Sequence, residues 1–318
     1  MEPEISIVIP VYNEAGNIRP MYDALVEVLG SPERSFEMIF SDDGSSDGTF
    51  EMVASLHAED TRVQGISLSR NFGHQTALFA GLSYARGTVV ITMDGDMQHP
   101  PEVIPHLLEE HENGYAIVNT KRIDSTKTGV MKRLTSKWYY TLINALSDVP
   151  IEPASADFRL MTREAVNALI AMPERKRFTR GLVSWMGFDQ SIVEFEVGER
   201  FSGKTKYTFW KMLRFGLDGV TSFSVKPLRI SFYVGLIISS LSIAYGIYAV
   251  VIFALGRAVP GWTSILVSVL FIGGFTLLSL GVIGEYIARI YNEVRRRPMF
   301  FIKDRTEQMI RNGAGETP

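Results

Sequence analysis

Ile91-Thr-Met-Asp-Gly-Asp-Met-Gln-His-Pro100 decides how the rest of the chain is read. An apolar run over residues 88–93 passes without a break into Asp94-Gly-Asp96 and stops at Pro100-Pro101. That order predicts a buried strand ending in an acidic segment. In an extended backbone side chains two apart share a side, so Asp94, Asp96 and Gln98 are expected to converge. Three oxygen donors suit a hard divalent cation, and Mg2+ takes one or two carboxylates while keeping positions for water and phosphate oxygens. The stretch therefore reads as half of a metal site that a diphosphate would complete. Gly95 is expected to let the backbone bend and approach the ligand. A bare Asp-x-Asp is also common as a plain acidic turn, so the flanking chain has to separate the two.

Outward from this stretch, short apolar runs predict strands over residues 5–10, 36–40, 63–68 and 116–119, beside the one over 89–93. Helical patterns fall between them, over residues 18–29, 49–57, 76–85 and 103–112. Strand and helix alternating at short spacing predict an α/β fold with a mostly parallel, doubly wound sheet. Ligands of such sheets sit beyond the carboxyl ends of the strands. The polar segments lie there: Pro10-Val-Tyr-Asn-Glu14, Ser41-Asp-Asp-Gly-Ser-Ser-Asp-Gly48, Ser69-Arg-Asn-Phe-Gly-His74 and Asp94 to Gln98. Ser46 or Asp47 suffices to cap the second helix, which leaves Asp42 and Asp43 for base or ribose contacts.

The chain has 318 residues, enough for about two units. It is 46% hydrophobic and 21% charged, but the apolar residues are unevenly spread. Residues 230–256 and 258–284 carry no charge at all. As helix each would reach roughly 40 Å, more than the roughly 30 Å hydrocarbon core of a bilayer. Two membrane spans follow, and the formal charge of -3 merely averages a soluble and a membrane part. No cysteine is present, so disulfides and thiolate metal sites are excluded. The amino-terminal residues lack a basic region followed by an apolar one, so no signal peptide is expected. Lys211, Arg214, Lys226 and Arg229 precede the first span; Arg289, Arg295, Arg296 and Arg297 follow the second; Arg257 stands between. The positive-inside rule then puts both flanks in the cytoplasm, with a multi-pass protein in the cell membrane. Residues 209–217 predict an amphipathic helix at the membrane interface, and residues 291–302 a second one broken at Pro298.

Four ordered motifs carry a resemblance: Ile7-Val-Ile-Pro-Val-Tyr-Asn-Glu14, Asp42-Asp-Gly-Ser-Ser-Asp-Gly-Thr49, Leu68-Ser-Arg-Asn-Phe-Gly-His-Gln75 and Asp94-Gly-Asp-Met-Gln-His-Pro-Pro-Glu102. Together they resemble the glycosyltransferase family 2 catalytic domain, a Rossmann-like GT-A fold. Within it they are similar to polyprenyl-phosphate sugar transferases of the bactoprenol glucosyltransferase and dolichol-phosphate mannose synthase type. The resemblance implies a nucleotide-diphosphate sugar donor, with UDP-glucose favoured and mannose or another sugar as the alternative, and a polyprenyl phosphate acceptor. It places Pro10, Tyr12, Glu14, Asp42 and Asp43 at the base and ribose and Arg70 near the nucleotide. Asp94, Asp96 and Gln98 would hold Mg2+ or Mn2+ across the diphosphate. It further implies that Arg122, Arg133 and Arg200 face the acceptor phosphate. Lys204 and Lys206, in Glu199-Arg-Phe-Ser-Gly-Lys-Thr-Lys-Tyr207, could close over two phosphates. Many relatives carry serine where this chain has Thr205, a departure that keeps the hydroxyl.

In Ser155-Ala-Asp-Phe-Arg-Leu-Met161 the resemblance makes Asp157 the catalytic base, in a turn just before a strand. Chemistry qualifies that role, because a phosphate monoester with a second pKa of about 6 has little proton to give at neutral pH. Asp157 would then orient the attack or oppose developing positive charge. The five histidines show no pairing pattern and are expected to be structural or on the surface. The expected organisation is a catalytic domain over residues 1–200, an acceptor loop and interfacial helix over 201–227, a two-helix membrane hairpin over 228–287, and a basic juxtamembrane helix and tail over 288–318. The expected activity is inverting transfer of a single sugar. A processive polysaccharide synthase is disfavoured because two spans are too few to enclose a polymer channel. A nucleotide-sugar-binding scaffold is disfavoured by the intact acidic residues. No nucleic-acid partner is expected, and the membrane helices are candidate surfaces for self-association.

Overall fold

The computed structural model describes residues 3–30, 34–123, 155–174, 179–196, 224–256 and 261–307. Described residues up to 196, together with 297–307, form one compact unit, and residues 224–296 form another.

The first unit begins with the alternation that the sequence implies: β1 (Ile5–Val11), α1 (Ala15–Leu29), β2 (Phe36–Asp42), α2 (Thr49–Glu59), β3 (Val63–Leu68), α3 (His74–Tyr84) and β4 (Val89–Thr92). A 3-10 turn at Pro101–Val103 leads into α4 (Ile104–Glu112) and β5 (Ile117–Ile123). Then follow β6 (Ser155–Thr162), α5 (Arg163–Ala171), α6 (Thr179–Trp185) and β7 (Gln190–Glu196). The described strands make one sheet in the order β7-β5-β6-β4-β1-β2-β3-β8, where β8 is Ile302–Arg305. Its centre, β4-β1-β2-β3, is parallel throughout. On one flank β6 runs antiparallel between β4 and β5. On the other, β8 runs antiparallel along β3.

Both faces of the central strands are covered, which is why β1 and β2 are buried at every position. Ile5, Ile7 and Ile9 of β1 pack with Met38 and Phe40 of β2, Ile91 of β4, and Ile18, Met21 and Leu25 of α1. Each such side chain contributes about 1.5–3 kcal/mol. This layer fixes where the strands end, and hence where the polar loops emerge.

Three expectations change here. Asp157 lies inside β6 and not in a turn before it. The second helix is capped by Gly48 in left-handed geometry, while Asp47 accepts the Thr49 N–H at 3.1 Å from just outside. The segment expected as a second interfacial helix instead leaves its helix at Val294 and becomes β8, because an unpaired β3 edge offers it a ladder of hydrogen bonds.

The second unit holds α7 (Lys226–Ala254) and α8 (Trp262–Val294), both long and apolar enough to cross a membrane. Phe253 and Leu277 are 75% and 72% exposed, which rules out a soluble core as their partner within the unit. The two helices touch through a Ser231–Ser279 hydroxyl hydrogen bond of 2.9 Å, and the Tyr286 hydroxyl donates to the Ser224 carbonyl at 2.7 Å. The amphipathic stretch 209–217, with Lys211 and Arg214, lies outside the described residues, as does Arg257.

Candidate active site

Beyond the carboxyl end of β4 the chain does not stay extended. Met97 takes a φ of +61°, so Asp94, Asp96 and Gln98 do not alternate along one side as the spacing implied. Asp96 instead folds onto the turn: its Oδ1 accepts the Gln98 N–H at 3.1 Å and its Oδ2 accepts the Gln98 side-chain amide at 2.7 Å. The Gln98 carbonyl oxygen accepts from Arg122 Nη2 at 3.3 Å, linking this turn to β5. Gly95 is needed for a reason other than bending. A Cβ there would stand 2.7 Å from Val11 Cγ1, so only glycine lets the acidic turn lie against the end of β1.

Asp94 turns inward, and its neighbours are histidines. Its backbone N–H donates to His99 Nδ1 at 2.9 Å, which puts the His99 proton on Nε2, 3.6 Å from Asp94 Oδ2. His99 is buried, stacked on Phe158 at 5.2 Å and against the edge of Phe195 at 6.0 Å. Burial pushes its pKa down, although Asp94 pulls the other way. His74, first residue of α3, places Nε2 3.3 Å from Asp94 Oδ1 and 3.7 Å from Asp157 Oδ2. Desolvation alone would lower the His74 pKa, but Asp157 and Asp94 outweigh it and raise it. Desolvation raises the Asp94 pKa despite both histidines.

Asp157 is the most enclosed acid of the group. Gln75 Nε2 donates to its Oδ2 at 3.0 Å, Arg159 Nη2 donates to Oδ1 at 3.1 Å, and Arg180 Nε lies 3.5 Å from the same oxygen. Gln75 is oriented in turn by the hydroxyl of Thr179 on α6, which donates to its carbonyl. Burial would raise the Asp157 pKa, yet His74, Arg180 and Arg159 hold it well below the usual carboxylate range. Sequence reasoning passed over His74, Gln75, His99, Arg159 and Arg180. Arg159 had a signal: two residues from Asp157 in a strand, it shares its side. His74 and Gln75 lie in a polar segment at a strand's carboxyl end, but the helix was expected to begin only at Thr76.

The other loops converge by hydrogen-bonding to one another. Asn13, at a φ of +53°, donates its N–H to Ser45 Oγ at 2.9 Å and accepts the Ser46 N–H at 3.0 Å. The Glu14 N–H goes to Thr49 Oγ1 at 3.0 Å, and Glu14 lies near enough to Asp96 to feel its charge. Desolvation raises the Glu14 pKa despite a hydrogen bond from Asn17. Tyr12 is exposed, whereas Pro10 is buried in β1. Asp42 and Asp43 are buried and already engaged. Asp42 accepts from the Ser45 N–H at 3.0 Å and the Ser67 hydroxyl at 2.8 Å. Asp43 accepts the Phe72 and Gly73 N–H groups at 2.7 and 2.8 Å, tying β2 to the loop before α3. Burial raises its pKa against those two bonds. Arg70 lies over the Phe72 ring at 4.1 Å. Arg133, Arg200, Lys204 and Lys206 lie outside the described residues.

Among the described residues no group of three or more His, Asp or Glu side chains forms a ready metal cage. The donors nevertheless fit a cation shared with a diphosphate. Asp94 Oδ1 is buried and accepts no hydrogen bond, and Asp96 presents a second carboxylate on the same turn. One or two carboxylates plus phosphate oxygens is the set that Mg2+ prefers. Gln98, with its carbonyl oxygen turned to Arg122, supports Asp96 more directly than it completes a three-oxygen set.

Residues 6–170 match the family described as glycosyl transferase family 2. Residues 226–290 match the GtrB C-terminal hairpin. A prophage bactoprenol glucosyl transferase homologue of Escherichia coli K12 is 43% identical over 303 residues, covering 94% of this chain and 98% of its own length. The bactoprenol glucosyl transferase of Shigella phage SfII is 43% identical over 301 residues, covering 94% and 97%. An uncharacterised glycosyltransferase of Synechocystis is 43% identical over 305 residues, covering 96% of each chain. Among solved structures, a mannosyltransferase of Pyrobaculum calidifontis in complex with GDP-mannose and Mn2+ is similar at 17% identity and a TM-score of 0.48, over 70% of this chain and 64% of that one. With its acidic site beyond the parallel strands and its carboxy-terminal hairpin, the chain belongs to glycosyl transferase family 2 and is a glycosyltransferase with an α/β catalytic domain.

Proposed function

We propose that the enzyme transfers one glucosyl residue from UDP-glucose to a polyprenyl phosphate at the cytoplasmic face of the membrane, with inversion at the anomeric carbon. The donor sugar and the lipid acceptor are taken from the names of the full-length relatives. The observation that carries the chemistry is Asp157, a buried carboxylate kept ionised by Arg159, Arg180 and His74 while His74 also reaches Asp94. A carboxylate held so far below its usual range is a poor base. It is well suited to oppose positive charge growing at the anomeric carbon. The acceptor phosphate, already ionised at neutral pH, needs no base. Its oxygen bonds to the anomeric carbon as the bond from that carbon to the nucleotide diphosphate breaks, and a single displacement inverts the configuration.

Bound Mg2+ or Mn2+ would supply Lewis-acid neutralisation of the departing diphosphate. Asp94 and Asp96 would hold it, with Gln98 bracing Asp96. Pro10, Tyr12, Glu14 and Arg70 would contact the nucleotide, while the hydrogen bonds of Asp42 and Asp43 hold the neighbouring loops in shape. Arg122, Arg133, Arg200, Lys204 and Lys206 are assigned to the acceptor phosphate, for which guanidinium forks are apt.

Sidedness draws support from β8. It follows the hairpin in sequence yet pairs with β3, which supports a chain that returns to the side from which it entered α7. Lys226 and Arg229 before α7, and Arg295 to Arg297 after α8, support reading that side as cytoplasmic by the positive-inside rule. Reporter tags after Met1 and Pro318 should both be cytoplasmic and one near Pro260 external; termini on opposite sides would defeat the topology. For the activity, purified enzyme is offered a panel of nucleotide sugars with a short polyprenyl phosphate, and the product's anomeric configuration is read by NMR. A β-linked glucosyl phosphate from the α-linked donor is expected; an α-linked product would overturn the inverting mechanism.

A further inference from the structure

The segment that leaves the membrane hairpin does more than end the chain. Ile302–Arg305 extends the sheet along β3, the strand whose carboxyl end delivers Arg70 and the loop into α3. Thr306, 1% exposed, accepts the buried Gly65 N–H at 3.0 Å. A Cβ at Gly65 would stand 2.7 Å from Thr306 Cγ2, so this glycine is what lets the return segment close onto β3. Nearer the site, the Ser69 N–H donates to the Phe301 carbonyl at 2.8 Å. Phe300 and Ile302 pack on Leu68, Ala77 and Ala80 together with Phe72. At the far end of α3, Arg305 donates to the Tyr84 hydroxyl and lies over its ring at 4.5 Å.

These contacts meet the site at two places. Phe72 and Gly73, whose N–H groups clamp Asp43, begin where Phe300 packs. The helix gripped at both ends by this segment is the one that carries His74 and Gln75 to Asp94 and Asp157.

We propose that residues 300–306 are positioning residues for donor binding: Thr306, Arg305 and Phe300 set the β3–α3 loop and α3, although they lie beyond the hairpin in sequence. The proposal rests on reading the carboxyl-end loops as the donor site. The lost acceptor in Thr306→Val strands a buried N–H, while Thr306→Ser keeps the hydroxyl.

The test uses full-length enzyme in lipid nanodiscs with UDP-glucose, UDP and a short polyprenyl phosphate. Thr306→Val is expected to raise the donor KM and the UDP Kd about tenfold while leaving the acceptor KM unchanged. Amide exchange at Phe72 and Gly73 should quicken while β1 and β4 stay protected, and Thr306→Ser should restore both readouts. Should Thr306→Val not fold, Arg305→Gln, at a half-buried position, carries the same measurements. A folded variant with wild-type donor KM, UDP Kd and exchange would overturn the proposal. If the wild type binds no nucleotide sugar, the donor reading falls by itself, and the exchange comparison still decides whether residues 300–306 set the loop.

Discussion

The sheet buries carboxylates at both of its ends, and they are treated in opposite ways. At the amino-terminal end, Glu37 is buried beside Ser6. Its Oε1 accepts from the Ser6 hydroxyl at 2.6 Å and the Arg86 N–H at 2.8 Å, and its Oε2 from Arg86 Nε and Nη2 at 3.0 and 2.6 Å. The Ser6 hydroxyl is itself held by the Gly87 N–H at 2.8 Å. At the carboxyl end, Asp94 keeps one buried oxygen with no hydrogen bond, and two histidines and Asp157 crowd its charge. Burial alone therefore does not mark a functional acid. Glu37, with both oxygens satisfied, serves the fold, because its hydrogen bonds already repay desolvation; Asp94, left short of partners, keeps capacity for a ligand.

The comparison breaks most visibly at Asp96. Asp96→Asn should cut transfer by about three orders of magnitude, and excess chelator should do the same to the wild type; full turnover in chelator would remove the metal from the scheme. Next comes Asp157→Asn, expected to lower kcat about a hundredfold with donor affinity kept. High pH should not rescue it, and recovery there would reveal a missing base after all. The same variant has a pH signature. Because the folded Asp157 pKa is depressed, its ionisation stabilises the fold above the unfolded carboxylate pKa of about 4, and that stability is lost as pH falls through the folded value. Asp157→Asn should therefore lose less stability on acidification than the wild type, as read by melting temperature across that range.

At the structural end the sign of the effect reverses. Glu37→Gln should cost about 2 kcal/mol in denaturant unfolding of the catalytic domain, while turnover per folded molecule stays near wild type. A specific loss of turnover without loss of stability would erase the distinction between the two ends. The smallest effect is expected at Ser67→Ala, which removes one of the two hydrogen bonds to Asp42. Donor KM should rise about threefold, measurable in the same nucleotide-sugar assay.

Much of this protein was readable from one-dimensional order. Runs such as Ile5-Ser-Ile-Val-Ile-Pro10, alternating with helical patterns, specify a doubly wound sheet because burial on both faces demands continuous apolar strands. Two uncharged stretches specify helices long and apolar enough to cross a membrane, because length and hydropathy are summed locally. The acidic turn at Asp94 and Asp96 was visible for the same reason. Tertiary structure alone decided which groups meet there. His74 and Arg180 come to Asp157 from α3 and α6, and no local spacing records a meeting between separate elements, whereas Arg159 stands two residues away on the same strand. Met97 turned an expected alternation into a folded turn, since one left-handed residue redirects every side chain after it. The pairing of Ile302–Arg305 with β3 was equally out of reach. A four-residue strand carries little signal of its own, and its place is set by an edge formed more than two hundred residues earlier in the chain.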